Sequence, residues 1–129
     1  MTDATSREVS SEERSALARM VMRAFDHWGL DTYESTAMLG FTAADSDRLS
    51  IYRDGAPFPD QRDLLDRAGH ILAIHKGLRL VFPHQRDLAY RWMRTPNRAF
   101  DRRTPAEVVS EEGFQGLLQV RGYLDQARA

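Results

Sequence analysis

Helix-start signals recur along this chain and constrain its fold more than any other feature. A capping box places Ser, Thr or Asp at the N-cap of a helix and Glu three residues later, so that each side chain bonds to the backbone N–H of the other. The spacing occurs three times, at Ser10 and Glu13, at Asp31 and Glu34, and at Thr104 and Glu107. Apolar residues recur at helical spacing, and no segment alternates polar and apolar residues as a strand would. The sequence therefore predicts an all-α fold.

Helix ends are equally well marked in the first half of the chain. Gly29 and Gly40 stand where a left-handed residue commonly ends a helix. Thr42 predicts the N-cap of a third helix that runs to about Arg53. The glycine and two prolines between residues 55 and 59 then stop it. Three helices are therefore predicted before residue 60.

The second half predicts further helices. A long one is expected from Asp60, with a bend or early end near Gly77 because glycine is a poor helix former. The next segment is expected to turn Leu88, Ala89, Trp92 and Met93 inward. The last helix is expected to be lined by Phe114, Leu117, Leu118, Val120 and Leu124.

Composition excludes several classes of function. With 129 residues, the chain is long enough for one domain or two very small ones. It has no cysteine, which excludes disulfides, thiolate metal sites and a cysteine nucleophile. The four histidines lack the spacing of a helical metal site, and His70 is expected to form a structural pair with Asp66. We expect neither enzymatic activity nor a metal or other cofactor.

The sequence shows neither the pattern of a signal peptide nor that of a membrane-spanning segment. The N-terminus is polar and acidic, whereas a signal peptide has an apolar core. The longest apolar run is interrupted by charged residues and is too short to cross a bilayer. A cytoplasmic location without membrane association is expected.

The most specific pattern lies between residues 92 and 124. It comprises WMRTPNRAF at 92–100, RTPAEVV at 103–109, EGF at 112–114 and LLQVRGYL at 117–124. This pattern resembles the C-terminal toxin-binding domain of the Xre/MbcA/ParS family of antitoxins. The signature positions are Trp92, Thr95, Pro96, Asn97, Phe100, Arg103, Thr104, Pro105, Glu112 and Gly113. Within it, Asn97 is expected to cap a turn with its side chain.

The resemblance implies an antitoxin that neutralises a RES-domain toxin in a type II toxin–antitoxin system. RES toxins of this kind consume NAD, by cleaving it or by ADP-ribosylating a target, and the antitoxin covers their active site. By this analogy, the toxin-binding residues are Arg94, Asn97, Arg98, Arg102, Arg103, Arg121, Tyr123 and Arg128. The resemblance also implies an antitoxin homodimer within a hetero-oligomer, and operator DNA as a partner of the whole complex.

The same family organisation implies an Xre-like helix-turn-helix before the toxin-binding domain. We expect a flexible N-terminus at 1–9, the helix-turn-helix region at 10–59 and the toxin-binding domain at 60–129. The turn at Gly40 has the placement of a degenerate motif whose second helix enters the major groove of DNA. Its expected DNA-binding residues are Thr42, Ser46, Arg48 and Arg53.

Charge argues against tight DNA binding by this half alone. Residues 42–53 carry two aspartates against two arginines, and residues 1–83 carry 13 acidic against 10 basic residues. Contacts between cations and phosphates supply most of the affinity for DNA, and an acidic domain provides few of them. A helical hairpin without any DNA contact therefore remains the alternative.

Basic residues concentrate instead between residues 86 and 103. Six arginines occur there against two aspartates. Guanidinium groups suit carboxylates and phosphates on a partner, which favours an interface, although a solvated face with local ion pairs is the alternative. Trp92 and Phe100 are expected to pack in the core beside them.

Two other functions remain open at this point. One is a helix-turn-helix transcriptional regulator whose C-terminal domain only dimerises. The other is an orphan adaptor protein without a toxin. A toxin gene beside that of the chain would distinguish the antitoxin from both.

Overall fold

The computed structural model describes residues 9–128, and all the regular secondary structure in this part of the chain is helical. Its α-helices are α1 (Ser11–Trp28), α2 (Thr32–Leu39), α3 (Arg48–Arg53), α4 (Arg62–Val81), α5 (Arg86–Arg91), α6 (Pro105–Glu112) and α7 (Phe114–Ala127). Short 3-10 turns occupy Ala43–Asp45, Trp92–Arg94 and Arg98–Phe100. The predicted all-α fold is confirmed. The flexible segment predicted at 1–9 lies, except for Val9, outside the described residues.

The three predicted capping boxes all form. In each pair the backbone N–H of the glutamate donates to the N-cap side chain, at 2.8 Å in one case and 3.0 Å in the other two. The pairs are Ser10–Glu13, Asp31–Glu34 and Thr104–Glu107. Gly29 and Gly40 end α1 and α2 in the left-handed conformation, at φ 66° and 73°. These local signals therefore set the limits of the helices.

The predicted third helix is wrong in one respect, because it is not continuous. The Asp45 carboxylate accepts hydrogen bonds from the backbone N–H and hydroxyl of Thr42, at 3.4 and 3.2 Å, and closes a separate turn. Ser46 and Asp47 disfavour helix interiors, since their side chains compete for backbone groups. The helix expected to enter the DNA groove is only six residues long, Arg48–Arg53.

The early end expected near Gly77 is also wrong, because α4 continues to Val81. A Cβ atom at Gly77 would lie 3.3 Å from the Cβ of Leu124 in α7. The missing side chain therefore lets α4 and α7 approach closely, and the packing gained there offsets the low helix propensity of glycine.

One hydrophobic core includes side chains from both halves of the chain. The long helix α4 packs against α1, α2, α5 and α7, and α6 packs against α2 and α7. Trp92 and Phe100 pack on this core, as expected. Two residues predicted to point inward are exposed instead, Leu88 by 38% and Leu118 by 36%. The buried face of each helix is narrow and does not include them. Ala89 is buried in α5, and Leu117, Val120 and Leu124 are buried in α7.

Candidate functional site

An exposed loop at residues 94–103, which we call the arginine loop, is closed by Asn97. The Asn97 side-chain oxygen accepts a hydrogen bond from the N–H of Ala99 at 2.9 Å. Its backbone N–H donates to the carbonyl of Arg103, and its carbonyl accepts from the N–H of Arg102, both at 3.0 Å. The predicted turn-capping role of Asn97 is confirmed, and the loop has a defined shape.

The tip of the arginine loop has an uncommon backbone. Asp101 and Arg102 follow one another in the left-handed conformation, at φ 57° and 69°. Such a conformation costs about 1–2 kcal/mol for each residue other than glycine, and is retained where the surrounding structure holds it. Arg98 and Arg102 are exposed there, and neither forms an ion pair within residues 9–128. Two cationic side chains thus remain available to a partner.

Arg103, in contrast, is occupied within the molecule. Its guanidinium lies 2.7 Å from the carboxylate of Glu112 and 3.1 Å from that of Glu111 in α6. Its Nε donates to the carbonyl of Phe100 at 3.2 Å. Hydrogen bonds to Glu112 and then Glu111 raise the pKa of Arg103. Arg103 therefore fixes the arginine loop to α6.

Arg94 connects the start of the loop to the N-terminal helices. Its guanidinium donates to the carbonyl of Gly29 at 3.0 Å and to the carboxylate of Glu34 at 2.7 Å. Glu34 also accepts the N–H of Asp31 in the capping box of α2. A single carboxylate thus caps α2 and holds the loop against it.

Three aromatic rings join the arginine loop to α7. The Tyr123 ring stacks on Trp92, with ring centroids 5.8 Å apart, and lies 5.4 Å from Phe100. Tyr123 keeps 38% of its surface exposed. Tyrosine that is packed on one side and open on the other is typical of protein interfaces.

A groove of about 510 Å³ lies between the arginine loop and α7. Phe100, Asp101 and Arg103 line one wall, and α7 supplies Gln119, Gly122, Tyr123 and Gln126. Of these residues of α7, only Tyr123 was predicted from the sequence. Their spacing of three and four residues places them on one helix face, and this signal would have found the others.

The remaining predicted residues of α7 are held by neighbouring side chains. Arg121 lies 2.8 Å from Nδ1 of His70 and 3.6 Å from Asp125, and Arg128 lies 3.7 Å from the same carboxylate. The expected pairing of His70 with Asp66 is wrong, because Arg121 is its hydrogen-bond partner. Burial and the Arg121 charge lower the pKa of His70, and Asp66 only opposes this shift.

Comparison with known proteins bears on this part of the chain. Residues 77–129 match the family model described as the antitoxin Xre/MbcA/ParS C-terminal toxin-binding domain. The chain belongs to the Xre/MbcA/ParS family of antitoxins. A relative from Sinorhizobium fredii, the uncharacterized protein y4oB, is 30% identical over 106 residues, which cover 82% of this chain and 79% of that protein.

The matched antitoxin domain contains the whole candidate site. It begins within α4 and includes the arginine loop, the aromatic rings and α7. The eight predicted toxin-binding residues fall into two groups within it. Arg98 and Arg102 project freely from the loop, whereas Arg94, Asn97, Arg103, Arg121, Tyr123 and Arg128 contact other parts of the antitoxin.

The predicted DNA-binding residues lie in the N-terminal half of the chain. Arg48 lies 3.9 Å from Asp45, donates to the Tyr52 hydroxyl at 2.6 Å and stacks over Phe41. Arg53 lies 2.7 Å from Asp26 of α1. Thr42 is bonded to Asp45, and Ser46 follows in the break before α3. Both arginines therefore contact carboxylates of the antitoxin itself.

Neither a metal centre nor a membrane span is present in the described part of this antitoxin. Between residues 9 and 128, no three His, Asp or Glu side chains are arranged to hold a metal ion. Over the same range, no helix has the length and apolar character needed to cross a membrane.

Proposed function

We propose that this chain neutralises a cognate RES-domain toxin by covering the opening of its active site. The arginine loop and the exposed face of α7 form the contact surface in this proposal. NAD is then excluded from the toxin by steric obstruction, so the antitoxin needs no catalytic group of its own.

The observation that carries the proposal is that Arg98 and Arg102 are exposed and unpaired in the described part of the chain. They are exposed side chains without an intramolecular ion pair in the described residues, and they stand on a loop of the matched toxin-binding domain. The other four arginines of the predicted site already form ion pairs, so these two supply the charge that remains for a toxin carboxylate.

The shape of the arginine loop supports the same proposal. Asn97 and Arg103 hold its backbone before any partner binds. A loop that is already ordered loses little conformational entropy on association, and this saving favours affinity. The groove beside the loop offers a concave surface for a protruding toxin side chain.

The proposed assembly contains an antitoxin homodimer and the toxin in the cytoplasm. In this proposal the complex also binds operator DNA, through Thr42, Ser46, Arg48 and Arg53. Each chain carries one such surface. A dimer presents two copies of this weak surface, and the toxin brings dimers together on one operator. This arrangement supports repression by the complex, with little contribution from the free antitoxin.

The direct experiment is co-expression with a RES-domain toxin, which the proposal expects the neighbouring gene to encode. The wild-type chain is expected to restore growth and NAD levels in cells that express the toxin. A transcriptional regulator or an orphan adaptor would leave NAD depletion unchanged. Continued NAD loss in cells that contain a stable complex would refute neutralisation by active-site obstruction.

A further inference from the structure

A second concave surface lies between α1, α4 and α5, away from the arginine loop. Its volume is about 580 Å³, which is within the range of about 300–1,000 Å³ found for small-molecule sites. It shares no lining residue with the groove beside α7. We call it the cationic cleft, since its lining includes arginines and histidines but no acidic residue.

Five basic side chains from three helices line the cationic cleft, and no carboxylate does. They are Arg23 and His27 of α1, His75 and Arg79 of α4, and Arg86 of α5. Within residues 9–128, none of the three arginines forms an ion pair, whereas Arg53, Arg94 and Arg103 all do so. Like charges gathered in a concavity repel one another and focus a positive potential, which an anion relieves.

The two imidazole groups of the cationic cleft lie near each other. The His27 ring stacks on Tyr90 with centroids 4.3 Å apart, and its centroid is 6.2 Å from that of His75. Burial, then the charges of Arg79 and His27, lower the pKa of His75. A neutral imidazole still offers one N–H donor, and a bound anion would favour a second proton.

An apolar wall completes the cationic cleft. Met20, Phe82 and Pro83 line it together with the Tyr90 ring. Met20 is one of the large apolar residues that stay exposed, at 47%. A ligand that fits therefore has an apolar or aromatic part as well as negative charge.

We propose that the cationic cleft binds a nucleoside diphosphate. Its phosphates lie among Arg23, Arg79 and Arg86, where guanidinium groups match phosphate oxygens in geometry and charge. Its base packs against Tyr90 and the apolar wall. The size and concavity of the cleft favour such a compact ligand over a DNA backbone, which meets side chains along an extended surface. The proposal does not depend on the identity of the toxin.

The test is calorimetric titration of the purified full chain with ADP, pyrophosphate and adenosine. ADP is expected to bind at least about tenfold more tightly than adenosine, and pyrophosphate to compete with ADP, because the charged contacts are shared. Arg79→Gln and Arg23→Gln are each expected to lower the affinity for ADP by about tenfold or more. Arg62→Gln, at an exposed position outside the cleft, is the matched control and should leave ADP affinity unchanged.

NMR titration of His75 supplies a second readout. The charged and titratable groups that share the cleft with this imidazole are Arg23 and His27 of α1, Arg79 of its own helix, and Arg86 and Tyr90 of α5. Saturation with ADP is expected to raise the pKa of His75, because a bound phosphate favours the charged imidazole. A purely structural cleft would give no such shift.

Three outcomes would overturn the proposal. The first is no saturable binding of ADP or pyrophosphate at about 1 mM, the weak end of specific affinity. The second is ADP binding that Arg79→Gln and Arg23→Gln leave intact. The third is a short DNA duplex that binds through these arginines while ADP does not, which would assign the cleft to nucleic acid.

Discussion

The arginines of the loop differ in whether their charge is available to a partner. Arg94 and Arg103 already contact carboxylates at 2.7 Å, so their removal would disturb the fold as well as the interface. Arg98 and Arg102 are exposed and form no ion pair within the described residues. Substitution of these two separates binding from stability, which substitution of Arg103 cannot do.

Reversal of these free charges is therefore the sharpest test of the interface at the residue scale. Arg98→Glu and Arg102→Glu are each expected to weaken toxin binding by about 2–5 kcal/mol, the usual cost at a desolvated charge pair. The free energy of unfolding should change by no more than about 0.5 kcal/mol, since both sites are on the surface. Surface plasmon resonance and urea denaturation measure the two quantities.

A matched control for this charge reversal is Arg62→Glu, at an exposed residue that does not line the groove beside the arginine loop. It should leave toxin affinity intact. Equal affinity of all three variants and wild type would instead make the arginine loop an ordinary solvated surface.

At the element scale, the close contact between α6 and α7 depends on one glycine. A Cβ atom at Gly116 would lie 2.4 Å from the carbonyl oxygen of Val108 and 3.0 Å from the Cα of Val109. These are backbone atoms, and they cannot move aside without displacing α6. Gly122 in the same helix would meet nothing within 4 Å.

This contrast predicts opposite effects for the same substitution. Gly116→Ala should lower the free energy of unfolding by about 1–3 kcal/mol, because overpacking shifts the backbone. Gly122→Ala should raise it by about 0.5–1 kcal/mol, because alanine is the better helix former. Urea denaturation of both variants measures this. A stabilised Gly116→Ala would mean that α6 and α7 are farther apart than described.

The elements also show which features the sequence could predict. Capping boxes and terminal glycines act within four residues, so the starts of α1, α2 and α6 could be located from the sequence. Continuation of α4 through Gly77 depends on Leu124, 47 positions further along the chain, and no local pattern reveals such a contact. The break before α3 reflects competition between turn-forming side chains and a helix, which a cap signal at Thr42 alone does not resolve.

The candidate site was also predictable from the sequence only in part. The motif located the arginine loop, and Asn97 caps its turn as predicted. The motif could not tell which arginines are paired inside the molecule, because Glu34 is 60 residues from Arg94. Partners so distant in sequence become neighbours only through the tertiary fold.

For the whole molecule, two histidines link stability to pH. Burial is the main cause that lowers the pKa of His70 and of His75 from the usual value of 6.5. The unfolded chain therefore binds protons at a higher pH than the folded chain. The stabilisation that these two histidines contribute is fully present about one unit above their usual pKa of 6.5, and it is lost as pH falls through that value.

Urea denaturation across this range is expected to show a free energy of unfolding that declines from pH 7.5 to pH 5.5, about one unit on either side of the usual histidine pKa. His75→Gln and His70→Gln should each flatten the decline. A profile that stays level in the wild-type chain would contradict the lowered pKa values.

DNA binding is also decided at the scale of the whole molecule. Arg48 and Arg53 both contact carboxylates of their own chain, so few free cations remain for phosphate. The free antitoxin is expected to bind its promoter weakly, and the toxin complex more tightly, because the complex presents several weak surfaces at once. Fluorescence anisotropy at two salt concentrations checks this, and tight salt-sensitive binding by the free chain would refute it.

The central claim is that the antitoxin stops NAD consumption by occupying the opening of the toxin active site. The most direct measurement is titration of purified toxin with the antitoxin while NAD consumption is followed. The rate is predicted to fall linearly to zero when every toxin active site has bound one antitoxin chain, and Arg98→Glu should weaken this inhibition. A stable stoichiometric complex that continues to consume NAD at the rate of free toxin would contradict the claim.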